Sequence, residues 1–298
     1  MPLFKQSLST NALSEVSTAR LIEFFVNPAR SLLRDDLNIT LDRSDGMLPI
    51  KEPMWPDYRA MRKLVEQALS SQISEEEKSR FQTRARLGGM LAAGSAGELA
   101  LDTAWASAER LCRAIVKIVG DEPFESVTAV HQVDDCTITG VLEKITPAGQ
   151  ILWSVDGATP WNLIRAWCQH LLLNAQDDAP TRCSFLIGPE AIVRFSPIDD
   201  ASENLSVWAS QYQQGRTRPL PFFPRSALKF VEGNEASLKP AYEIWLGADY
   251  SKSRGEAEDP YFALAFRDNI EHALDGEFEK LAPLIFRPMV NAMKVVTG

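Results

Sequence analysis

Histidine and cysteine are scarce in this chain, and the chemistries that depend on them are correspondingly thin. The three histidines, His131, His170 and His272, stand too far apart for a His-x-x-x-His zinc pair and have no cysteine companion beside them. The four cysteines, Cys112, Cys136, Cys168 and Cys183, are widely spaced without a Cys-x-x-Cys, so they read as reduced, buried thiols. No apolar run reaches the ~18 residues that a bilayer crossing needs, and no basic start leads into an apolar core. The expectation is a cytoplasmic chain with no membrane contact. A phosphate-cradling Gly-x-x-x-x-Gly-Lys loop, Gly-x-Gly-x-x-Gly and Gly-x-Ser-x-Gly are all missing, and no cofactor is expected. Internal repeats are missing too, which removes solenoids.

Positive charge is also in deficit. Thirty-one Lys and Arg against forty Asp and Glu leave a net charge of −9. A domain that held DNA alone would carry a basic balance, because phosphate neutralisation and counterion release supply most non-specific affinity. Weak duplex binding follows as an expectation. Local basic groups stand at Arg84 and Arg86 and at Arg216, Arg218 and Arg225. They read either as solvated surface or as phosphate contacts within an assembly that supplies more positive surface.

What is present is a core-forming globular sequence, 298 residues long and 45% hydrophobic. Residues 1–16 are polar and unperiodic and read as a flexible lead. Residues 17–34 form a helix bent at Pro28, residues 37–41 alternate as a short strand, and three prolines make residues 47–56 a loop. Helices follow over 57–70 and 75–86. Gly88, Gly89 and Gly94 read as a hinge into the next helix or as free amides that could favour an anion. That helix, 97–119, carries Leu101, Ala104, Ala108, Leu111, Ile115 and Ile118 on one stripe, which is expected to pack on a sheet. Trp105 lies off the stripe, as in a helix packed on two sides or as a binding aromatic. Strands are expected over 127–133, 182–187 and 191–195, with a helix over 161–174. From Asp199 the chain reads as mainly helical, with Leu205, Trp208 and Tyr212 on one face of a helix ending near Gly215. Three prolines bracket Phe222 and Phe223, which are either wedges locking this extension onto the core or an exposed partner contact. Strands interleaved with long helices indicate a mixed α/β layer fold.

Residues 140–157, GVLEKITPAGQILWSVDG, form the most informative stretch. Ile138, Gly140 and Leu142 alternate with Thr139, Val141 and Glu143; Pro147, Ala148 and Gly149 turn the chain; Ile151 to Val155 runs back. This hairpin resembles that of RecB-type PD-(D/E)XK nucleases, which carry Gly-x-Ile-Asp-Arg on the first strand and Asp-x-Lys on the second. The resemblance puts Glu143 at the first acid, Lys144 at the arginine, Trp153 at the second acid and Val155 at the lysine. A Gly-x-x-x-His helix start corresponds to residues 94–98, with Glu98 at the histidine. Such chemistry needs convergent carboxylates around a hard divalent cation, and Trp153 and Val155 offer neither acid nor base. Glu98 and Glu143 remain acids that could in principle bind a metal.

Five further stretches, LIEFFVNPARSLLRDDLNITL (21–41), GSAGELALDTAWASAERL (94–111), WCQHLLLNA (167–175), LPFFPRSAL (220–228) and DPYFALAFR (259–267), resemble the C-terminal domain of the RecC family, the gamma subunit of exodeoxyribonuclease V, in that family's order. The resemblance implies a restriction-endonuclease-like mixed sheet flanked by helices. It implies an inactive nuclease-like core over 17–198 and a helical extension over 199–298 packed on it. It further implies a non-catalytic scaffold that works with RecB and RecD where duplex DNA is split, holding DNA weakly and within the complex. Nothing here resembles the family's helicase-like part, so a C-terminal fragment is expected. A residual metal-dependent nuclease and a protein-only adaptor are the competing functions.

Overall fold

The computed structural model describes residues 13–41, 55–70, 73–88, 91, 94–120, 122–247, 254–274 and 276–296. Residues 1–12, most of the three-proline loop and Gly89 lie outside them.

Alternation of buried Ile138 and Leu142 with exposed Val141 and Glu143 builds the longest strand, β3 (Cys136–Thr146). It is the spine of a mixed sheet of seven strands among the described residues. On one edge β3 pairs antiparallel with β2 (Glu125–Val133). Its other edge is shared by β1 (Glu15–Ser17), parallel to residues 137–139, and β4 (Gly149–Trp153), antiparallel at Ile145 and Thr146. The sheet continues through β5 (Ser184–Ile187), parallel to β4, then β6 (Ile192–Phe195) and β7 (Met293–Val296), both antiparallel. The mixed α/β architecture expected from the sequence is present.

One face of the sheet is covered by α6 (Pro160–Asn174), whose Trp167, Leu171 and Leu172 are fully buried, and by α1 (Thr18–Val26) and α7 (Ala201–Gly215). Helix α1 starts where the Ser17 hydroxyl accepts the Arg20 N–H, and it ends at Asn27 before Pro28 opens the short α2 (Pro28–Ser31). Gly140 lets α1 come close: a Cβ there would lie 2.2 Å from the Thr18 hydroxyl oxygen, which itself donates to the Thr139 carbonyl at 2.9 Å. The first residue of the hairpin motif is thus a packing glycine.

The opposite face is covered by α5 (Ser95–Val119), and here the expectation is corrected. Leu101, Ala104 and Ala108 do not meet the sheet; they pack on α3 (Tyr58–Leu69) and α4 (Glu75–Leu87), with Trp105 5.6 Å from Phe81. Only the second half of the helix, at Leu111, Ile115, Ile118 and Val119, lies on Ile151, Ile187 and Ile192. A 25-residue helix spans ~37 Å, longer than the strands beneath it, so its first half overhangs the sheet and needs its own cover. Trp105 is buried in the cluster with α3 and α4, its indole N–H donating to Glu109 at 2.9 Å.

Residues 37–41 are not a strand. After α2 the chain winds through a π-helical turn (Leu32–Asp36), Asn38 takes φ +56°, and the Ile39 N–H returns to the Leu33 carbonyl at 2.7 Å. The first strand instead precedes α1, across the boundary between the segment read as a lead and the expected helix. The remainder is mainly helical, with α8 (Pro224–Glu232), α9 (Lys239–Leu246), α10 (Pro260–Ala265) and α11 (Glu277–Ala292). Its last strand, β7, returns to the sheet edge, which residue-by-residue reading did not find. Phe222 and Phe223 are fully buried: Phe222 stands 5.8 Å from Phe25, and Phe223 is ringed by Trp245, Phe262 and Phe266 at 4.0–5.1 Å. Each buried ring is worth about 1.5–3 kcal/mol, so the extended segment is a wedge and neither ring is offered to a partner.

Candidate functional site

The hairpin hinges on a slip of register. Leu142 opposes Val127 while Ile145 opposes Glu125, so β3 takes three steps against two of its partner, and Lys144 adopts φ +58° to absorb the extra residue. This bulge brings Lys144 across to β4, where its Nζ lies 4.0 Å from the centre of the Trp153 ring. Phe124 also lies beside this pair, its ring 6.3 Å from that of Trp153. Trp153 and Val155 both pack into the cluster between the sheet and α5, although β4 ends at Trp153 and Val155 belongs to the following turn. A lysine over an indole contributes ~0.5–1 kcal/mol at an exposed site and more when desolvated. At the positions that the resemblance gives to the second acid and the lysine, this chain has an aromatic–cation stack and an aliphatic plug.

Of the two remaining acids, Glu98 is already ion-paired. Glu98, in the first turn of α5, is gripped by both ends of the Arg86 guanidinium, Nε to Oε1 at 3.1 Å and Nη2 to Oε2 at 2.6 Å. Glu143 is exposed, and its backbone carbonyl accepts the Gln150 amide at 3.4 Å. Among the described residues no three His, Cys, Asp or Glu side chains are grouped to hold a metal ion.

Residues 13–235 match the family described as the RecC C-terminal domain. The chain belongs to the RecC C-terminal domain family. That membership makes it a part of the RecBCD complex, which acts in DNA repair, alongside other subunits. No curated protein matches it. Among the described residues, no helix of this RecC-type domain is long and apolar enough to cross a membrane. All four cysteines are free; Cys136 and Cys168 are buried, and burial pushes the Cys168 thiol far above its ordinary range.

The basic candidates of the RecC-type domain are engaged within the fold. Arg84 reaches Glu77 at 3.5 Å, and Arg86 holds Glu98. Arg216 pairs with Asp36 at 3.1 Å in a half-buried contact that ties α7 to the π-helical turn. Burial pushes the Asp36 carboxyl up, and the Arg216 charge opposes it. Arg218 donates through Nη1 to Glu277 at 2.8 Å, and Arg225 donates to the Arg254 carbonyl at 3.0 Å. These residues do not converge on one surface feature.

Basic residues converge elsewhere. Where the parallel strands β4 and β5 end, residues 154–159 and 188–191 open a cleft against α5 and α3. One part, of about 410 Å³, is lined by Arg110, Arg113 and Lys117 of α5 and by Pro189, Glu190 and Ile192. The adjoining part, of about 250 Å³, shares Arg110, Pro189 and Glu190 and adds Tyr58, Arg62 and Asp156. Asp156 is held by Arg62 at 3.1 Å and by the Tyr58 hydroxyl. Sequence reasoning missed this cleft because α5 was read for its apolar stripe. The available signal was the spacing of 110, 113 and 117, which puts three cations on one face of a helix.

Proposed function

We propose that this chain is a non-catalytic, cytoplasmic part of RecC that serves as a scaffold for RecD and RecB and supports strand separation during double-strand-break repair. The single observation that carries the reading is the stack of Lys144 on Trp153 at the position of the second acid, in a chain that belongs to the RecC C-terminal domain family. A divalent cation needs oxygen ligands there, and an indole already covered by an ammonium supplies none. Partner contacts would hold the domain at the fork, where local concentration replaces intrinsic affinity. The competing nuclease reading rests on Glu98 and Glu143, and Glu98 is committed to Arg86.

Co-expression with RecB and RecD tests the proposal. The expected result is co-purification of all three, with no nicking of plasmid DNA by the chain alone in magnesium. Cleavage that disappears in Glu98→Ala or Glu143→Ala would replace it with the nuclease reading. A chain that never joins RecB and RecD under any salt condition would leave the protein-only adaptor.

A further inference from the structure

We propose that the face of Trp153 now covered by Lys144 is a masked binding site for a quaternary ammonium group, with the chain's own lysine as its tethered competitor. The ring already holds a cation: the Lys144 Nζ lies 4.0 Å from its centre, inside the ~6 Å over which an aromatic face attracts positive charge. That cation has no other anchor. Among the described residues the Lys144 side chain makes no ion pair and no hydrogen bond. Glu143, one residue away, is exposed and its carboxylate is likewise unpaired among the described residues, so negative charge next to the stack is not spent on another cation. Phe124, 46% exposed, sets a second ring 6.3 Å from that of Trp153 and inclined at 46° to it. The two rings therefore form an open corner and not a closed stack.

The surroundings select the ligand class. A lysine ammonium is a compact, strongly hydrated charge whose N–H groups want acceptors, and no side-chain oxygen among the described residues accepts from this one. A quaternary ammonium has no N–H to satisfy, which is why aromatic faces recognise that group. The mask is shallow. A lysine over an indole at an exposed site corresponds to a stacked-to-open ratio of about 2 to 5, so the ring is open for about one-sixth to one-third of the time. A ligand that needs the open ring then binds about 3- to 6-fold more weakly than the uncovered ring would allow. The bulge supplies the mask, since the φ of +58° at Lys144 is what brings its side chain across to β4. The inference uses the same stack as the assembly reading but rests on ring chemistry alone, so ligand binding and co-purification with RecB and RecD can each fail without the other.

The probe is tetramethylammonium chloride, titrated at constant ionic strength against the chain carrying isotope-labelled tryptophan, with the Trp153 indole resonance assigned by its loss in Trp153→Leu. The expected result is a saturable shift of that resonance, with a dissociation constant on the order of 10 mM in Lys144→Gly. The parent chain should bind about 3- to 6-fold more weakly. Glycine suits the positive φ at this position, so the substitution uncovers the ring and leaves the bulge unstrained. Lys144→Arg keeps a cation on the ring and should bind no tighter than the parent. Choline and a short peptide carrying trimethyl-lysine are then compared, the tighter of the two identifying the source of the group, and the unmethylated peptide should bind at least ~3-fold more weakly than the methylated one. If Trp153→Leu does not fold, the ring-current shift of the probe's methyl protons carries the comparison of Lys144→Gly with Lys144→Arg. A shift reproduced by sodium chloride, Lys144→Gly binding no tighter than the parent, Lys144→Arg binding as tightly as Lys144→Gly, or no saturable shift in any of them would each overturn the proposal.

Discussion

Replacing Trp153 by Asp and Val155 by Lys would install the residue types that the resemblance gives to an active hairpin, and the expected result is a weaker fold and no nicking of plasmid by the double variant. Removing a fully buried tryptophan costs ~3–5 kcal/mol; Trp153 is partly exposed, so about half of that applies. The lost stack with Lys144 adds ~0.5–1 kcal/mol. Val155 packs against both the α3–α5 cluster and the sheet–α5 cluster, and an ammonium there adds about 1 kcal/mol for desolvation. The total, about 4 kcal/mol, is a large share of the ~5–15 kcal/mol typical of a folded domain. With a urea m-value of about 3 kcal/mol/M, the unfolding midpoint should fall by roughly 1 M. The new carboxylate would also find the Lys144 ammonium waiting within reach, which would claim it before any cation. Urea denaturation followed by circular dichroism gives the midpoint, and plasmid nicking in magnesium gives the activity. A double variant that keeps the parent's midpoint, or one that nicks plasmid when the parent does not, refutes the reasoning.

Two further outcomes follow from buried polar groups. His170 is enclosed by α6 and the sheet, with Nδ1 2.9 Å from the Ser184 hydroxyl and Nε2 3.1 Å from the Ser196 carbonyl, and burial lowers its pKa from 6.5 to about 4. The unfolded chain therefore takes up a proton that the folded chain refuses, and this group's contribution is whole above pH 6.5 and lost as pH falls toward 4. Between pH 7.5 and 5 the loss should be about 2 kcal/mol in the parent and absent in His170→Gln; matching pH slopes for the two would contradict it. Buried Glu256 accepts the Arg225 and Ser226 N–H groups at 3.0 and 2.9 Å and the Ser226 hydroxyl at 2.8 Å, capping α8 from 30 residues away. Glu256→Ala leaves those donors unpaired at a cost of about 3–5 kcal/mol, read as a Tm lowered by about 10 °C, and a drop below about 3 °C would show the cap to be dispensable.

Local periodicity carried much of the fold. The alternation around Ile138 and Leu142, the Pro147 turn and the 3.6-residue stripes of α6 and α7 all report one neighbour pattern that the chain itself encodes. The failures lie where a partner far along the chain decides. Residues 37–41 alternate as a strand should, yet they pair with no strand among the described residues, and the Leu33 carbonyl takes the Ile39 N–H instead. The stripe of α5 is real, but whether it meets a sheet or two helices depends on where the sheet ends. At the candidate site, that Trp153 and Val155 carry neither acid nor base was legible because it is a matter of residue type. That Lys144 covers Trp153 was not, since it depends on a one-residue bulge that shows only in the strand register and in a positive φ. The pairing of Arg86 with Glu98 joins two residues that sequence reading had assigned to unrelated roles.

Strand β7 has a consequence for how the protein is made. It occupies the outer edge of β6 although about a hundred residues separate the two, so this pairing is among the most non-local in the domain. During synthesis, β6 leaves the ribosome long before residues 293–296 do, and until then its N–H and C=O groups face solvent as an open template. A nascent or truncated chain lacking that last strand would present Ile192 and Val193 at a bare edge, the kind of surface on which chains pair with one another. The segment that looks least important by length is the one that decides when the sheet stops being sticky.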